Sequence, residues 1–412
     1  MTETAGKGGP GTEDAALPAF PMARSCPFQP PEQYAELREE APVSKVLLPT
    51  GRIAWLVTRH DLARQMLADS RVSVDRAHAG YPGVSAQKAT FTHRPKGFLT
   101  WMDPPEHTEH RRMLLNEFTV KRLQRMRPRV QEIVDGCLDE IIAAGPPTDL
   151  VQSLAVAVPT LVICELLGVP YADRELFHER TTIIVNLQNS VEARTTALRE
   201  MQGYLGDLVV AKEADPGDDL ISRLVVKYRE AGTYDHAHLS GLATLLLTGG
   251  FETTANMIAL GIVALLEHPG ELAKLVADPS IAQRTVDELL RYFSVSDYAT
   301  SRVVTEDIEI GGILIRAGEG VIAPNGAANR DAAVFPDPDR LDVARAEARH
   351  HLAFGYGIHQ CIGQNLAALE LQVTFTTVFA RIPGLRLAVP FEELRFKDNS
   401  NFYGVHEVPV RW

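Results

Sequence analysis

Apolar positions recur at helical spacing through most of this chain and at strand spacing in only a few short runs. From Leu239 to Glu267 the sequence has no proline and is apolar on nearly every face, the pattern of a helix buried all round. Its middle departs from that pattern, reading Gly249-Gly250-Phe251-Glu252-Thr253-Thr254. Each glycine weakens a helix by roughly 1 kcal/mol relative to alanine, and a buried carboxylate is costly unless paired. Two readings account for the defect: a working site, or a close helix crossing at the glycines beside a satisfied glutamate. Further amphipathic helices are predicted over Pro31–Glu40, Arg59–Ala68, Met126–Ala144, Val151–Leu167 and Leu220–Glu230. More polar helices over 171–215 carry the apolar patch Ile183-Ile184-Val185, which also reads as ordinary core. Pro104-Pro105 suits the start of another helix, running through His107, Arg111, Met113 and Leu115.

Strand-like runs are few. Ser44–Leu48 and Ile53–Val57 flank the turn Pro49-Thr50-Gly51, Ile308–Ile310 and Ile313–Ile315 flank Gly311-Gly312, and Val321–Pro324 adds another. Residues 75–100 show little periodicity and form a long loop, either functional or plain surface. The expectation is a mainly α fold with small β-sheets, one domain over 18–412 behind a disordered tail of residues 1–17.

Composition narrows the class. The 412 residues are 45% hydrophobic, ample for a large core. With 53 acidic against 41 basic residues the net charge is −12, which argues against nucleic acid as the main partner. Cys26, Cys137, Cys164 and Cys361 lack Cys-x-x-Cys spacing, so neither a disulfide framework nor a zinc site is suggested. No signal peptide, membrane anchor or membrane-length apolar run is read, so a soluble cytoplasmic protein with no membrane association is expected; a monomer is the expected state.

Cys361 carries the sharpest chemistry. It follows Gly355 and Gly357, precedes Gly363, and opens a helical pattern through Leu366, Leu369 and Val373. Free amides and the dipole at a helix N-terminus stabilise a thiolate, which acts as nucleophile or metal ligand. A buried structural cysteine is the alternative. His107 and Arg111 share a helix face, as do Glu288 and Arg291. Taken alone, either pair reads as surface decoration.

The order Phe354, Gly357, His359, Cys361, Gly363 resembles the haem-binding signature of the cytochrome P450 family. That resemblance implies the P450 fold, with haem b between the long central helix and the helix after the cysteine loop. Cys361 would be the axial ligand of haem iron, shielded by Phe354. Gly357 and Gly363 would let backbone approach the porphyrin, Gly355 belongs to the same cofactor-binding loop, and His359 would bond a propionate. The segment Asp103-Pro104-Pro105-Glu106-His107-Thr108 with Arg111 resembles the family's propionate-binding segment, and Arg302 its third propionate ligand. Gly249 through Thr253 resembles the motif where the central helix opens beside haem. There Thr253 would donate a hydrogen bond to the activated oxygen and Glu252 would relay protons, while Gly249 borders the cofactor where many members carry alanine. Glu288 and Arg291 resemble the family's Glu-x-x-Arg pair, completed by Arg345, with Arg340 the second choice.

The chain looks closest to soluble bacterial members, particularly the actinobacterial subgroup acting on secondary metabolites and xenobiotics. Phe118–Arg122 and His350–Gly355 carry that likeness. The implied function is a monooxygenase inserting one oxygen atom of dioxygen into a C–H bond of a bulky hydrophobic molecule. Macrolides, sterol-like compounds and statin-like polyketides all remain open, with specificity in residues 76–100, 177–190, 294–300 and 399–403. Electrons would come from NAD(P)H through a ferredoxin reductase and a ferredoxin, docking near Arg112, Lys121 and Arg349. The alternatives are haem-thiolate chemistry of another kind (peroxygenase, isomerase, coupling) and a non-enzymatic haem sensor.

Overall fold

The computed structural model describes residues 17–84, 94–185, 189–398, 400 and 402–412. Residues 1–16 of the expected tail, 85–93 and 186–188 of the specificity segments, and Asn399 and Asn401 of the C-terminal turn lie outside the described residues. The chain begins with α1 (Gln33–Glu40), the strands β1 (Val43–Leu47) and β2 (Ile53–Val57), α2 (His60–Ala68) and β3 (Val72–Ser73). Then come α3 (Glu106–Leu115), α4 (Val120–Leu123), α5 (Arg127–Ala144) and β4 (Thr148–Asp149). Helices α6 (Ala157–Leu167), α7 (Arg174–Val185), α8 (Val191–Ala214) and α9 (Leu220–Glu230) lead into α10 (His236–Glu267). Beyond it lie α11 (Pro269–Ala277), α12 (Ala282–Phe293), β5 (Ser301–Val304), β6 (Ile308–Ile310), β7 (Ile313–Ile315), β8 (Gly320–Ile322) and α13 (Asn325–Ala328). A coiled segment then reaches α14 (Gln364–Arg381), β9 (Arg386–Leu387) and β10 (Pro409–Arg411).

Helix α10 is the axis. It packs on α6, α8 and α14, and its apolar side chains from Leu239 to Leu265 belong to the largest core cluster. The Asp235 carboxylate accepts the amides of Ala237 and His238, so the helix starts three residues before the apolar pattern does. By length and composition α10 could cross a membrane, which corrects the reading that no stretch could. Its burial against neighbouring helices makes it core. Val151–Leu167 is not one helix: a π-helical turn over Val151–Val156 precedes α6. Pro159 has no amide to offer the Ala155 carbonyl, so regular α bonding is interrupted there.

The larger sheet has the order β1-β2-β8-β5-β3, with β2 and β8 parallel and the other pairs antiparallel. It delivers Arg302 on β5. A three-stranded sheet, β4-β10-β9, closes the C-terminal end.

The glycine that serves a helix crossing is Gly261. A Cβ there would lie 2.4 Å from Cζ of Phe375 on α14 and 3.3 Å from Cδ1 of Leu289 on α12. At Gly249 a Cβ would meet no atom within 4 Å. Gly261→Ala is expected to destabilise the fold by about 1–3 kcal/mol through overpacking against the buried Phe375 ring. That loss outweighs a helix-propensity gain of about 1 kcal/mol. A urea unfolding midpoint at or above that of the parent would contradict this packing.

Candidate cofactor site at the cysteine loop

The approach to Cys361 is held from below by a buried ion triad. Glu288 and Arg291 on α12 are both 0% exposed and pair at 2.7 Å, and Arg345 reaches the same carboxylate at 3.2 Å. Arg340 turns its carbonyl to Arg345 and Arg291, and among the described residues it is Arg345 that reaches Glu288 as the third member. The spare donors of Arg291 go to the Asn329 and Pro338 carbonyls, and those of Arg345 to Pro336 and Asp337. Asn329 in turn accepts the Leu352 amide at 2.6 Å and donates to Ser294. Thus the triad fixes the coil from Asn329 to Leu352, and Leu352 starts the loop.

The loop closes on itself where the Cys361 amide donates to the Phe354 carbonyl at 2.8 Å. Gly355 and Gly357 take φ of +70° and +76°. At Gly357 a Cβ would also fall 2.4 Å from the Leu67 carbonyl oxygen, so both angle and room demand glycine. Phe354 packs half-buried against the main core. Cys361 stands just before α14, where the amides of Gly363 and Gln364 point at its sulfur. Cys361 is exposed, unlike Cys137 and Cys164; the protein packed around it pushes the thiol up, while those amides and Arg111 pull it down. At Cys137 and Cys164 burial prevails, over a backbone hydrogen bond at the first and Arg174 at the second, and pushes both thiols up to about 12.

Four cationic or cation-capable side chains from three elements converge at this loop. The ring centroids of His107 on α3 and His359 in the loop are 4.1 Å apart. Arg111, one turn beyond His107, donates to the Gln360 carbonyl at 2.6 Å. Buried Arg302 donates to the Ser301 and Ala299 carbonyls and faces His359. Burial, followed by the positive neighbours, pushes His107 down to about 4 and His359 to about 2. Asp103 offers these groups some relief, but its carboxylate is already bonded to Ser73 and the Val74 amide. Both ring nitrogens of His107 and Nε2 of His359 are buried with no hydrogen-bond partner among the described residues. Such a donor set, with orphaned nitrogens and mutually unfavourable charge, fits an anionic ligand carrying more than one carboxylate.

On α10 the backbone stays helical through Gly249–Thr253 rather than opening, and the Thr253 hydroxyl donates to the Gly249 carbonyl at 2.9 Å, sharing that acceptor with the helix. Burial raises the Glu252 carboxyl, against the pull of Lys397 and Arg194. Lys397 is buried and donates to Oδ1 of Asn256, one helical turn after Glu252. Neither Lys397 nor Asn256 is prominent in the sequence. A lone lysine in a C-terminal strand-like run reads as a surface residue.

A cysteine met by two amide donors, a glycine loop and a cluster of cations short of negative charge make the candidate site of a haem-thiolate protein. Comparison with known proteins gives the family. A family model described as Cytochrome P450 matches residues 187–382. The chain is 48% identical over 413 residues to "Cytochrome P450 105A3" of Streptomyces carbophilus, covering 100% of both chains. It is equally 48% identical to "Vitamin D3 dihydroxylase" of Streptomyces griseolus, again covering 100% of both. The crystal structure of cytochrome P450 MoxA from Nonomuraea recticatena superposes with a TM-score of 0.92 at 53% identity, covering 96% of this chain and 98% of that one. This chain belongs to the cytochrome P450 family, and its mainly α fold with small sheets is the P450 fold.

Breaking the brace should be costly. Glu288→Gln leaves two buried guanidinium groups without a counter-charge, and a loss of about 3–5 kcal/mol in unfolding free energy is expected. Denaturant unfolding measures it, and a loss below about 1 kcal/mol would mean that the triad does not carry the coil.

Proposed function

We propose that this P450 is a monooxygenase that hydroxylates a bulky hydrophobic small molecule, using non-covalently held haem b on Cys361. The convergence of His107, Arg111, Arg302 and His359 beside the amide-solvated Cys361 sulfur carries this reading. Cys361 would hold the iron and the four basic side chains the propionates. Phe354, Gly355, Gly357, Gly363 and Gly249 would border the ring. No Cys-x-x-Cys-His motif is present for covalent attachment, in keeping with haem b. When bound, haem supplies dioxygen binding and the electron push of its thiolate ligand toward O–O cleavage.

The overall reaction consumes one substrate C–H, one dioxygen, two electrons and two protons, and yields an alcohol and water. The chain's task at α10 is to deliver those protons. Glu252, raised by burial but opposed by two cations, is poised to gain and lose a proton. Thr253 is the adjacent hydroxyl, and must release its bond to Gly249 when it donates elsewhere. Peroxide-driven, isomerising or coupling chemistry needs no such delivery, so the Glu252–Thr253 pair favours the dioxygen reaction. The name of the Streptomyces griseolus relative makes sterol-like substrates a first class to test, beside macrolides and polyketides.

Two electrons must also arrive. We place a ferredoxin, fed from NAD(P)H by its reductase, on the face outside the cysteine loop of a monomeric cytoplasmic enzyme. Arg112, Lys121 and Arg349 are exposed there, with Leu115, Val120 and Ile358 as exposed apolar neighbours. A bond from Asn365 on α14 to the Phe118 carbonyl ties the α3–α4 segment to the loop.

Thr253→Ala is expected to divert most consumed NAD(P)H to peroxide while leaving the carbon monoxide spectrum of the reduced protein thiolate-like. Fully coupled turnover in that variant would remove Thr253 from proton delivery. Reversing the charge at Arg112, Lys121 and Arg349 should slow ferredoxin-dependent reduction about tenfold at low salt, with the difference shrinking as salt screens it. An unchanged rate and salt dependence would place the partner elsewhere.

A further inference from the structure

We infer that Lys397 is a positioning residue for Glu252, a buried ammonium brought by the C-terminal hairpin to govern the carboxyl on the central helix. The inference rests on the reading of Glu252 as the proton-delivering carboxyl.

Lys397 is 6% exposed and its Nζ donates to Oδ1 of Asn256 at 2.8 Å. An ammonium carries three donors and a full charge, and a neutral amide oxygen satisfies one donor without neutralising the charge. Glu252 is the carboxylate that acts on Lys397, and Lys397 is the foremost cation acting on Glu252. The geometry explains the pairing. Asn256 follows Glu252 by one turn of α10, so an ammonium anchored on Asn256 stands over the helix face that carries Glu252.

The anchor is rigid because the hairpin is pressed onto α10 at this point. The Lys397 amide donates to the Gly404 carbonyl at 2.8 Å, and Phe396 bridges Val405 beside it. A Cβ at Gly404 would fall 2.2 Å from Oδ1 of Asn256, so only glycine lets the second hairpin arm pass over the amide. Both arms therefore touch one side chain of the central helix. The charged groups around the pair are Arg194 from α8, which acts on both Glu252 and Lys397, and His406, which lies close enough to Lys397 to feel its charge.

The sign of the effect follows. Desolvation raises the Glu252 carboxyl, and a nearby positive charge favours its ionised form. Removing the charge of Lys397 must move the Glu252 titration to higher pH, so at neutral pH fewer molecules hold a carboxylate able to accept a proton. Lys397→Gln retains a donor for Asn256 but no charge, whereas Lys397→Arg retains the charge.

The experiment is a pH titration of the Glu252 carboxyl by difference infrared spectroscopy, its band identified by its loss in Glu252→Gln. Coupling of NAD(P)H to product is followed over the same pH range. Lys397→Gln should shift the titration midpoint upward by about one pH unit and carry the acid limb of the coupling profile with it. Lys397→Arg should restore both. Lys397→Met reads the same midpoint should the glutamine variant fail to fold. An unshifted midpoint in the uncharged variants, with coupling still lost in Glu252→Gln, would overturn the inference and leave the role of Glu252 standing. Unimpaired coupling in Glu252→Gln would instead overturn the role of Glu252, and the inference with it.

Discussion

A carboxylate with no access to water sits beneath the cysteine loop. Glu288 balances two guanidinium groups, and those groups spend their remaining donors on backbone carbonyls of the coil between Asn329 and Arg340. Each charge here would be untenable alone, because the interior does not solvate it. The coil is consequently held by electrostatic necessity where regular secondary structure is absent. Asn329 passes that order to Leu352, and the Cys361–Phe354 bond completes it. The sulfur's position is inherited from an ion triad that never touches it.

On the other side of the loop the charges are arranged in the opposite sense. His107, Arg111, Arg302 and His359 are drawn close without a free carboxylate among them, and burial and mutual repulsion push down the two histidines. One cluster is self-sufficient and braces. The other is short of negative charge, as a site for an anionic ligand would be. That contrast separates a structural ion network from a ligand site more reliably than the residue types do, since both contain arginine in polar company.

Much of this was legible in the chain. The cysteine loop could be read because tight backbone geometry, donor amides and a cation-bearing neighbour all leave marks at fixed spacing. Helix α10 could be read because burial on all sides erases polar positions. What escaped was whatever depends on a partner distant in sequence. Gly249-Gly250 and Gly261 look alike in a helical pattern, yet the aromatic ring of Phe375 makes Gly261 the crossing point. The π-helical turn before α6 preserves apolar periodicity well enough to pass as α-helix. Asp235 starts α10 among histidines that hide the helix from an apolar count. Arg345 and Arg340 were close rivals until the coil showed which guanidinium turns inward. Lys397 left no mark at all, because burial of a lysine is a property of the fold and not of its neighbours in the chain.

The clamp of Gly404 and Lys397 on Asn256 also says how this scaffold can change its diet. Positions of the hairpin outside this clamp can be exchanged without loosening its hold on Asn256. Its two base positions cannot: one needs the absence of a side chain, the other a charge on a stem long enough to reach Asn256. Recombination of the hairpin should therefore prosper when both base positions are kept together. Grafts that carry a foreign base would alter reactivity as well as selectivity.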